Sequence, residues 1–243
     1  MTSSSTRDDC PRCHGTGLEL TDEATARVCS CQRIRAMQET QENSRITPAF
    51  QAKTFENFRQ DGRPPIIRKL YTAAKDYADQ FNEIQNTDQN GLLFCGQPGS
   101  GKTHLCIALA NQLLGQGTPV RYFRHKDGMG ELKDLVAQRG RVQPKIQELK
   151  DAPVLVWDDL FKRQHGADQD ADQFRGWDID VAIDVIYYRY EELLPTIIST
   201  ELTPKQLCGI DEGMGSRIVE RSKGRIVVVN GLDANYRLRG DKA

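Results

Sequence analysis

In the 243-residue sequence no apolar run approaches the roughly 18 residues needed to cross a bilayer. The first ten residues, Met1 to Cys10, are polar and carry no apolar leader region. These two absences argue against a membrane partner and for a soluble, cytoplasmic protein. Net charge is also lacking, since 33 Lys+Arg meet 34 Asp+Glu, so the whole molecule exerts no global pull on nucleic acid. Any contact with DNA must therefore come from locally segregated charge. Internal repeats are absent, and a hydrophobic fraction of 38% suits one main domain with a small appendage at about 150 residues per domain.

Cysteine, by contrast, is present and unevenly placed. Cys10, Cys13, Cys29 and Cys31 crowd the N-terminus, while Cys95, Cys106 and Cys208 stand alone. Two tight pairs of thiolates, Cys-x-x-Cys and Cys-x-Cys, can be brought by a hairpin into the tetrahedron that Zn²⁺ prefers. In a cytosolic chain this spacing indicates metal before disulfide. Cys10-Pro11-Arg12-Cys13-His14-Gly15-Thr16-Gly17 is similar to the half-sites of zinc-binding chaperone domains, and His14 is an alternative fourth ligand. Four protein ligands leave no open position for catalysis, so the module, residues 1–45, is expected to dock a partner. Gln32 to Arg45 reads as a polar helix within it. A Pro- and Phe-bearing stretch from Ile46 to Pro65 then leads into the second domain, residues 46–243, whose next helical stretch is Ile66 to Ile84.

From Gly91 onward, apolar runs at Leu92–Phe94, Val120–Phe123, Val154–Trp157, Thr196–Ile198 and Ile226–Val229 alternate with longer periodic stretches. That alternation predicts an α/β fold with a parallel sheet. Gly96-Gln97-Pro98-Gly99-Ser100-Gly101-Lys102-Thr103 follows the first strand and opens a helix to about Leu114, which is the context of a P-loop. Backbone N–H groups of Gly96, Gly99, Ser100, Gly101 and their neighbours would cradle ATP phosphates, with Lys102 a point charge on the β/γ oxygens and Thr103 a Mg²⁺ ligand; Pro98, which has no N–H, shapes the loop.

A metal partner belongs at the end of another buried strand. Val154-Leu155-Val156-Trp157 ends in Asp158, expected to hold Mg²⁺ through water, and Asp159, expected to orient the attacking water. The competing reading is that the acids cap a following helix. No guanine-reading Asn-Lys-x-Asp motif occurs, which favours ATP over GTP.

With these motifs in place, residues 46 to about 240 resemble AAA+ ATPases of the DnaC/DnaI helicase-loader and IstB group. The resemblance rests on Thr54-Phe55-Glu56-Asn57-Phe58, on Trp157-Asp158-Asp159-Leu160, on Tyr188-Arg189-Tyr190 with Leu194 to Thr200, and on Gly215-Ser216-Arg217-Ile218-Val219-Glu220-Arg221. It implies a five-stranded parallel sheet of order 5-1-4-3-2. It further implies that Arg217 is an arginine finger acting on a neighbouring subunit, hence self-assembly with ATP; a salt bridge to Glu212 or Glu220 is the alternative. Gly231 to Ala243 leaves no room for a C-terminal lid domain, and Arg237 reads either as a solvated tail residue or as a nucleotide or DNA contact. One departure stands out: Glu201 occupies the place where the group usually has Asn. An ionised Glu cannot donate, so either Thr200 supplies the polar group or hydrolysis is slow.

Charge is segregated along the chain. Residues 151–184 carry nine Asp against Lys162, Arg163 and Arg175, with Gln164–Asp180 read as a solvated loop. Residues 121–150 and 214–243 are each net basic, and Arg121-Tyr122-Phe123-Arg124-His125-Lys126 has the composition of a single-strand DNA surface, or of an ordinary solvated face. The resemblance implies a replicative hexameric helicase and single-stranded DNA as partners. The alternatives are an IstB-type ATPase assisting a transposase and a non-hydrolysing ATP-bound adaptor. Metal analysis of the purified chain should return about one Zn²⁺ per chain, lost on Cys13→Ser; less than about half an equivalent would refute the four-cysteine site.

Overall fold

A computed structural model describes residues 43–162 and 171–238, together with residues 10, 13, 14, 16, 18–20, 26–29 and 31. Strands β1 (Leu18–Leu20) and β2 (Ala26–Val28) pair antiparallel, with Leu18 opposite Val28, between the two cysteine pairs. The helix expected over Gln32 to Arg45 falls almost wholly outside the described residues.

After the Pro-led turn α1 (Pro48–Gln51), the expected helix Ile66 to Ile84 is divided into α2 (Pro65–Asp79) and α3 (Phe81–Ile84). Gln80 leaves helical geometry at φ −94°, ψ 7°, and the turn lets both Phe81 and Ile84 enter the core. The main sheet comprises β3 (Leu92–Gly96), β4 (Val120–Arg124), β5 (Val154–Leu160), β6 (Thr196–Thr200) and β7 (Ile226–Val229). All pairings are parallel and the order is β4-β5-β6-β3-β7. Counting only these strands gives the expected 5-1-4-3-2, read from the opposite edge.

Burial explains why the central strands are unbroken apolar runs. Every residue of β3 and β5 is buried, whereas edge strand β7 alternates between half-buried and buried. A strand covered on both faces has no reason to alternate. Successive side chains point to opposite faces, so Leu92 and Phe94 join one core with α2 and α4 (Lys102–Gly115). Leu93 and Cys95 join the other, under α5 (His125–Ala137), α6 (Gln143–Asp151), α7 (Ala171–Glu191), α8 (Pro204–Ile210) and α9 (Glu212–Arg221). The outer edge of β4 is partly covered, because the Tyr122 N–H donates to the Ser44 carbonyl at 2.7 Å.

The Asp-rich stretch is a correction to the sequence reading. From Ala171 it is helix rather than loop. Val181, Ala182, Val185 and Ile186 put an apolar stripe on the sheet, while Asp178 and Asp184 pair with Lys133 and Lys150 at 2.9 and 2.6 Å. Asp178 and Asp184 thus face lysines rather than the sheet, and the helix packs through that apolar stripe.

Arg189, on α7, is the principal polar staple of this layer. It is 1% exposed and donates to the carbonyls of Leu149, Lys150, Ala152 and Pro195 at 2.6–3.1 Å and to Thr196 Oγ1 at 2.9 Å. Burial pulls its pKa below the usual arginine range, yet every partner is an acceptor, so the guanidinium stays charged. It satisfies the orphan carbonyls at the end of α6. Arg189→Ala should cost about 3 kcal/mol or more, read by urea unfolding, because it strands several buried acceptors at once.

Candidate nucleotide-binding site

The phosphate loop forms where β3 turns into α4. Gly96 has φ +93°, and a Cβ there would lie 2.1 Å from the Val229 carbonyl oxygen, so β7 leaves room only for glycine. Gly101, the N-cap of α4, has φ +103°, and a Cβ would strike the Phe58 ring at 2.6 Å. No side chain caps this helix end. Its first-turn N–H groups and the dipole therefore suit a polyphosphate. Lys102 is 5% exposed and donates to the carbonyls of Gly96 and Gln97 at 2.6 and 2.9 Å. Burial lowers its pKa, and the charges of Asp159 and Glu201 oppose that shift.

Asp158 is fully buried at the end of β5. Its Oδ1 accepts from Thr103 Oγ1 at 3.0 Å and Ser199 Oγ at 2.5 Å, and its Oδ2 accepts from Tyr122 OH at 2.7 Å. Burial, and then the charge of Asp159, push its carboxyl above the ordinary range, while the three hydroxyls pull it back. Thr103 and Asp158 thus present hard oxygen ligands side by side beneath the phosphate loop, a donor set that fits Mg²⁺. Asp159 adopts φ +55°, where β5 is irregular in its pairing with β6. The Ser199 hydroxyl accepts its N–H at 2.9 Å, which holds that strained conformation. Behind it, Trp157 Nε1 donates to His125 Nδ1 at 3.2 Å, and burial keeps that imidazole neutral with a pKa of about 4.

A cleft of about 470 Å³ opens in front of these groups, lined among others by Pro98, Gly99, Lys102, Thr103, Asp159 and Glu201. Thr200 is not part of its lining; it is buried and its hydroxyl donates to the Leu160 carbonyl at 2.8 Å. Gly96 and Ser100 shape the loop from behind. Arg237 does line the cleft, from the 3₁₀ turn Tyr236–Leu238. Arg217 lies elsewhere, on α9, with its guanidinium 4.0 Å from the Tyr187 ring centre and 5.2 Å from that of Tyr190. Among the described residues neither Glu212 nor Glu220 pairs with it.

Sequence reasoning passed over several groups that build this site. In the sequence Ser199 figures only as part of the Leu194 to Thr200 stretch and Tyr122 only as part of the basic stretch; their role at Asp158 appears once the sheet order brings them to it. Arg63 donates from one nitrogen to the carbonyls of Ser100 and Ala234 at 2.7 and 3.1 Å, and Tyr236 donates its N–H to Gly99 O at 3.0 Å. The basic stretch on β4 is also revised. Tyr122 and Phe123 are both buried, so neither ring offers a stacking platform, and Arg121 is paired with Glu148 at 2.5 Å. Arg124 and Lys126 remain exposed.

In the N-terminal part the four thiols converge. The sulfurs of Cys10, Cys13, Cys29 and Cys31 all lie within 4.8 Å of one another, with Cys10–Cys29 at 3.8 Å and Cys13–Cys31 at 3.4 Å. A Zn–S bond of about 2.3 Å gives a tetrahedral edge of about 3.8 Å, so the donors fit zinc. His14 is exposed and outside this group.

Comparison with known proteins places this arrangement. The family model described as IstB-like ATP binding protein matches residues 32–242. The phage-like element PBSX protein XkdC of Bacillus subtilis is 35% identical over 244 residues, covering 98% of this chain and 89% of that protein. The replicative helicase loader DnaC of Escherichia coli is 32% identical over 133 residues, 53% of this chain and 50% of that one, so the match spans about half of each. A crystal structure of the DnaC helicase loader superposes with a TM-score of 0.54 at 23% identity, covering 76% of this chain and all of that one, which supports the fold.

Ser199→Ala should leave ATP affinity within about threefold, lower hydrolysis, and cost about 1–3 kcal/mol in stability by orphaning the Asp159 N–H and one Asp158 contact. ATP titration, turnover and urea unfolding of that variant would test this. The sheet order, the uncapped phosphate loop, the Thr103–Asp158 pair and the family match over most of the chain lead to one conclusion: this protein is a P-loop ATPase of the AAA+ type and belongs to the IstB-like ATP-binding protein family.

Proposed function

We propose that the protein is a cytoplasmic, ATP-switched assembly factor that loads a replicative hexameric helicase onto single-stranded DNA. In this reading residues 1–45 dock the helicase through a zinc-stabilised module and residues 46–243 form the ATPase. The kind of partner is taken from the relatives called replicative helicase loaders. The observation that carries the switch is the position of Arg217: it lies outside the nucleotide cleft of its own chain, on α9, packed against Tyr187 and Tyr190 of α7. If Arg217 acts as a finger, it must act on a second subunit's nucleotide, and ATP then becomes a signal for self-assembly.

The chemistry assigned to each group follows from its surroundings. Lys102 and the N–H groups of α4 bind and orient the phosphates, and Thr103 with Asp158 would hold Mg²⁺. That ion, when bound, neutralises charge on the β and γ oxygens. Asp159, turned toward the cleft by its left-handed backbone, orients water for attack on the γ-phosphorus. Thr200 is then a structural link between β6 and β5. Of the basic stretch, Lys126 is exposed and left to meet DNA phosphates, while Arg124 pairs with Asp127 at 3.0 Å and lines the nucleotide cleft.

The test is co-purification with the hexameric helicase of the same host in the presence of ATP, together with ATPase assays with and without single-stranded DNA. Capture should require ATP and an intact Cys10–Cys31 module. Arg217→Ala should reduce turnover about 100-fold or more while ATP still binds, as expected for loss of a finger. Unchanged turnover would refute that role. Capture of a transposase on double-stranded DNA would favour the IstB-type alternative, and ATP retained without turnover would favour the adaptor.

A further inference from the structure

Glu201 is a carboxylate on the wall of a cleft built for a polyphosphate. Left unpaired, it would repel the γ-phosphate and compete with it for Lys102. Lys162 provides the answer. Its Nζ lies 3.0 Å from Glu201 Oε1 and 3.0 Å from Asp159 Oδ2, so a single ammonium bridges both acids. This reach depends on the backbone after β5. Asp159 and Phe161 both have φ of +55°, and the Lys162 N–H closes a turn onto the Asp159 carbonyl at 3.0 Å, which brings a residue three positions on back over Asp159. Lys162 lines the same cleft as Lys102, and its side chain is 33% exposed against 10% for Asp159 and 30% for Glu201.

We propose that Lys162 is a positioning residue for ATP hydrolysis: its ammonium cancels the charge that Glu201 would present to the γ-phosphate and fixes the Asp159 carboxylate by one oxygen. The inference rests on the reading of Asp159 as the group that orients water. Lys162 engages Oδ2, and in this reading Oδ1 is the oxygen that accepts from the water. The Lys162–Glu201 pair thereby does in charged form what a neutral amide at position 201 would do: it supplies N–H donors at the cleft wall without adding net negative charge. Asp159 and Glu201 carry two negative charges, and Lys162 reduces the cluster to one.

The experiment compares single-turnover hydrolysis and ATP affinity for Lys162→Ala, Lys162→Met, Lys162→Arg and the double variant Lys162→Ala/Glu201→Gln, each with Mg²⁺. Lys162→Ala and Lys162→Met should lower the hydrolysis rate about tenfold or more while ATP affinity changes less than about threefold, and Lys162→Arg should recover most of the rate. The double variant should hydrolyse faster than Lys162→Ala by about threefold or more, because the uncompensated anion is gone. A wild-type rate in Lys162→Ala, or a double variant no faster than the single one, overturns the proposal. Thermal unfolding of each variant separates lost folding from lost positioning, and Lys162→Met preserves the length of the stem if the alanine variant does not fold. Asp159→Asn distinguishes the role of Asp159 from that of Lys162. If it is inactive while Lys162→Ala is normal, only the role of Lys162 fails; if it hydrolyses normally, the assignment of Asp159 fails and the inference with it.

Discussion

A carboxylate withdrawn from water costs several kcal/mol unless it is paired or hydrogen-bonded, and Asp158 meets that demand with three hydroxyls drawn from three different elements. Thr103 comes from α4, Tyr122 from β4 and Ser199 from β6. Only a sheet with β5 between β4 and β6, and with α4 lying under their ends, can bring all three to one side chain. The phosphate loop is thus tied to the strands by the same contacts that prepare the metal ligands. Tyr122 also feels the constraint, since burial and the neighbouring Asp158 push its phenol well above the ordinary tyrosine range and keep it a donor.

Much of this was legible in advance because doubly buried strands are written as apolar runs. All five appear where hydropathy places them, and the glycine and lysine spacing of the loop marks the turn between β3 and α4. The strand ends were not legible. Hydropathy stops at Trp157 and Ile198, whereas β5 continues through Asp158 and Asp159 to Leu160 and β6 through Ser199 to Thr200. Of the polar residues that end these apolar patterns, Asp159 lines the cleft, while Asp158 and Ser199 are buried behind it and hydrogen-bonded to each other. Asp-rich α7 was hidden for the opposite reason: its acids suggested solvent, yet Asp178 and Asp184 pair with lysines of other elements and leave the apolar stripe intact. Arg189 stands in a stretch that carries the family resemblance, but its anchoring role, like those of Arg63 and Tyr236, has no sequence signal, because their principal partners are backbone carbonyls of other segments.

The segments before and after the nucleotide core meet over the phosphate loop. Arg63 sits between the rings of Phe58 and Tyr236, 5.5 Å from each ring centre, and Arg59 Nη1 donates to the Tyr236 hydroxyl at 3.2 Å. His104 donates its Nε2–H to the Thr54 carbonyl at 2.9 Å and packs edge-on against Phe58, which fastens the lead-in to α4. The lead-in and the C-terminal turns therefore form a shared wall of the cleft, and the binding site draws on residues nearly 180 positions apart.

The two rims of the sheet differ in a way that bears on association. Along β4 the Tyr122 N–H is already engaged by Ser44, so part of the outer ladder is closed to another strand. The opposite rim, β7, is only four residues long and follows Lys223 and Arg225, charges that discourage edge-to-edge pairing. Neither rim invites extension of the sheet from one molecule to the next. Among the described residues, then, the surface open to a second copy consists of side chains on helix faces, and contacts of that kind are more easily undone than a continuous backbone ladder.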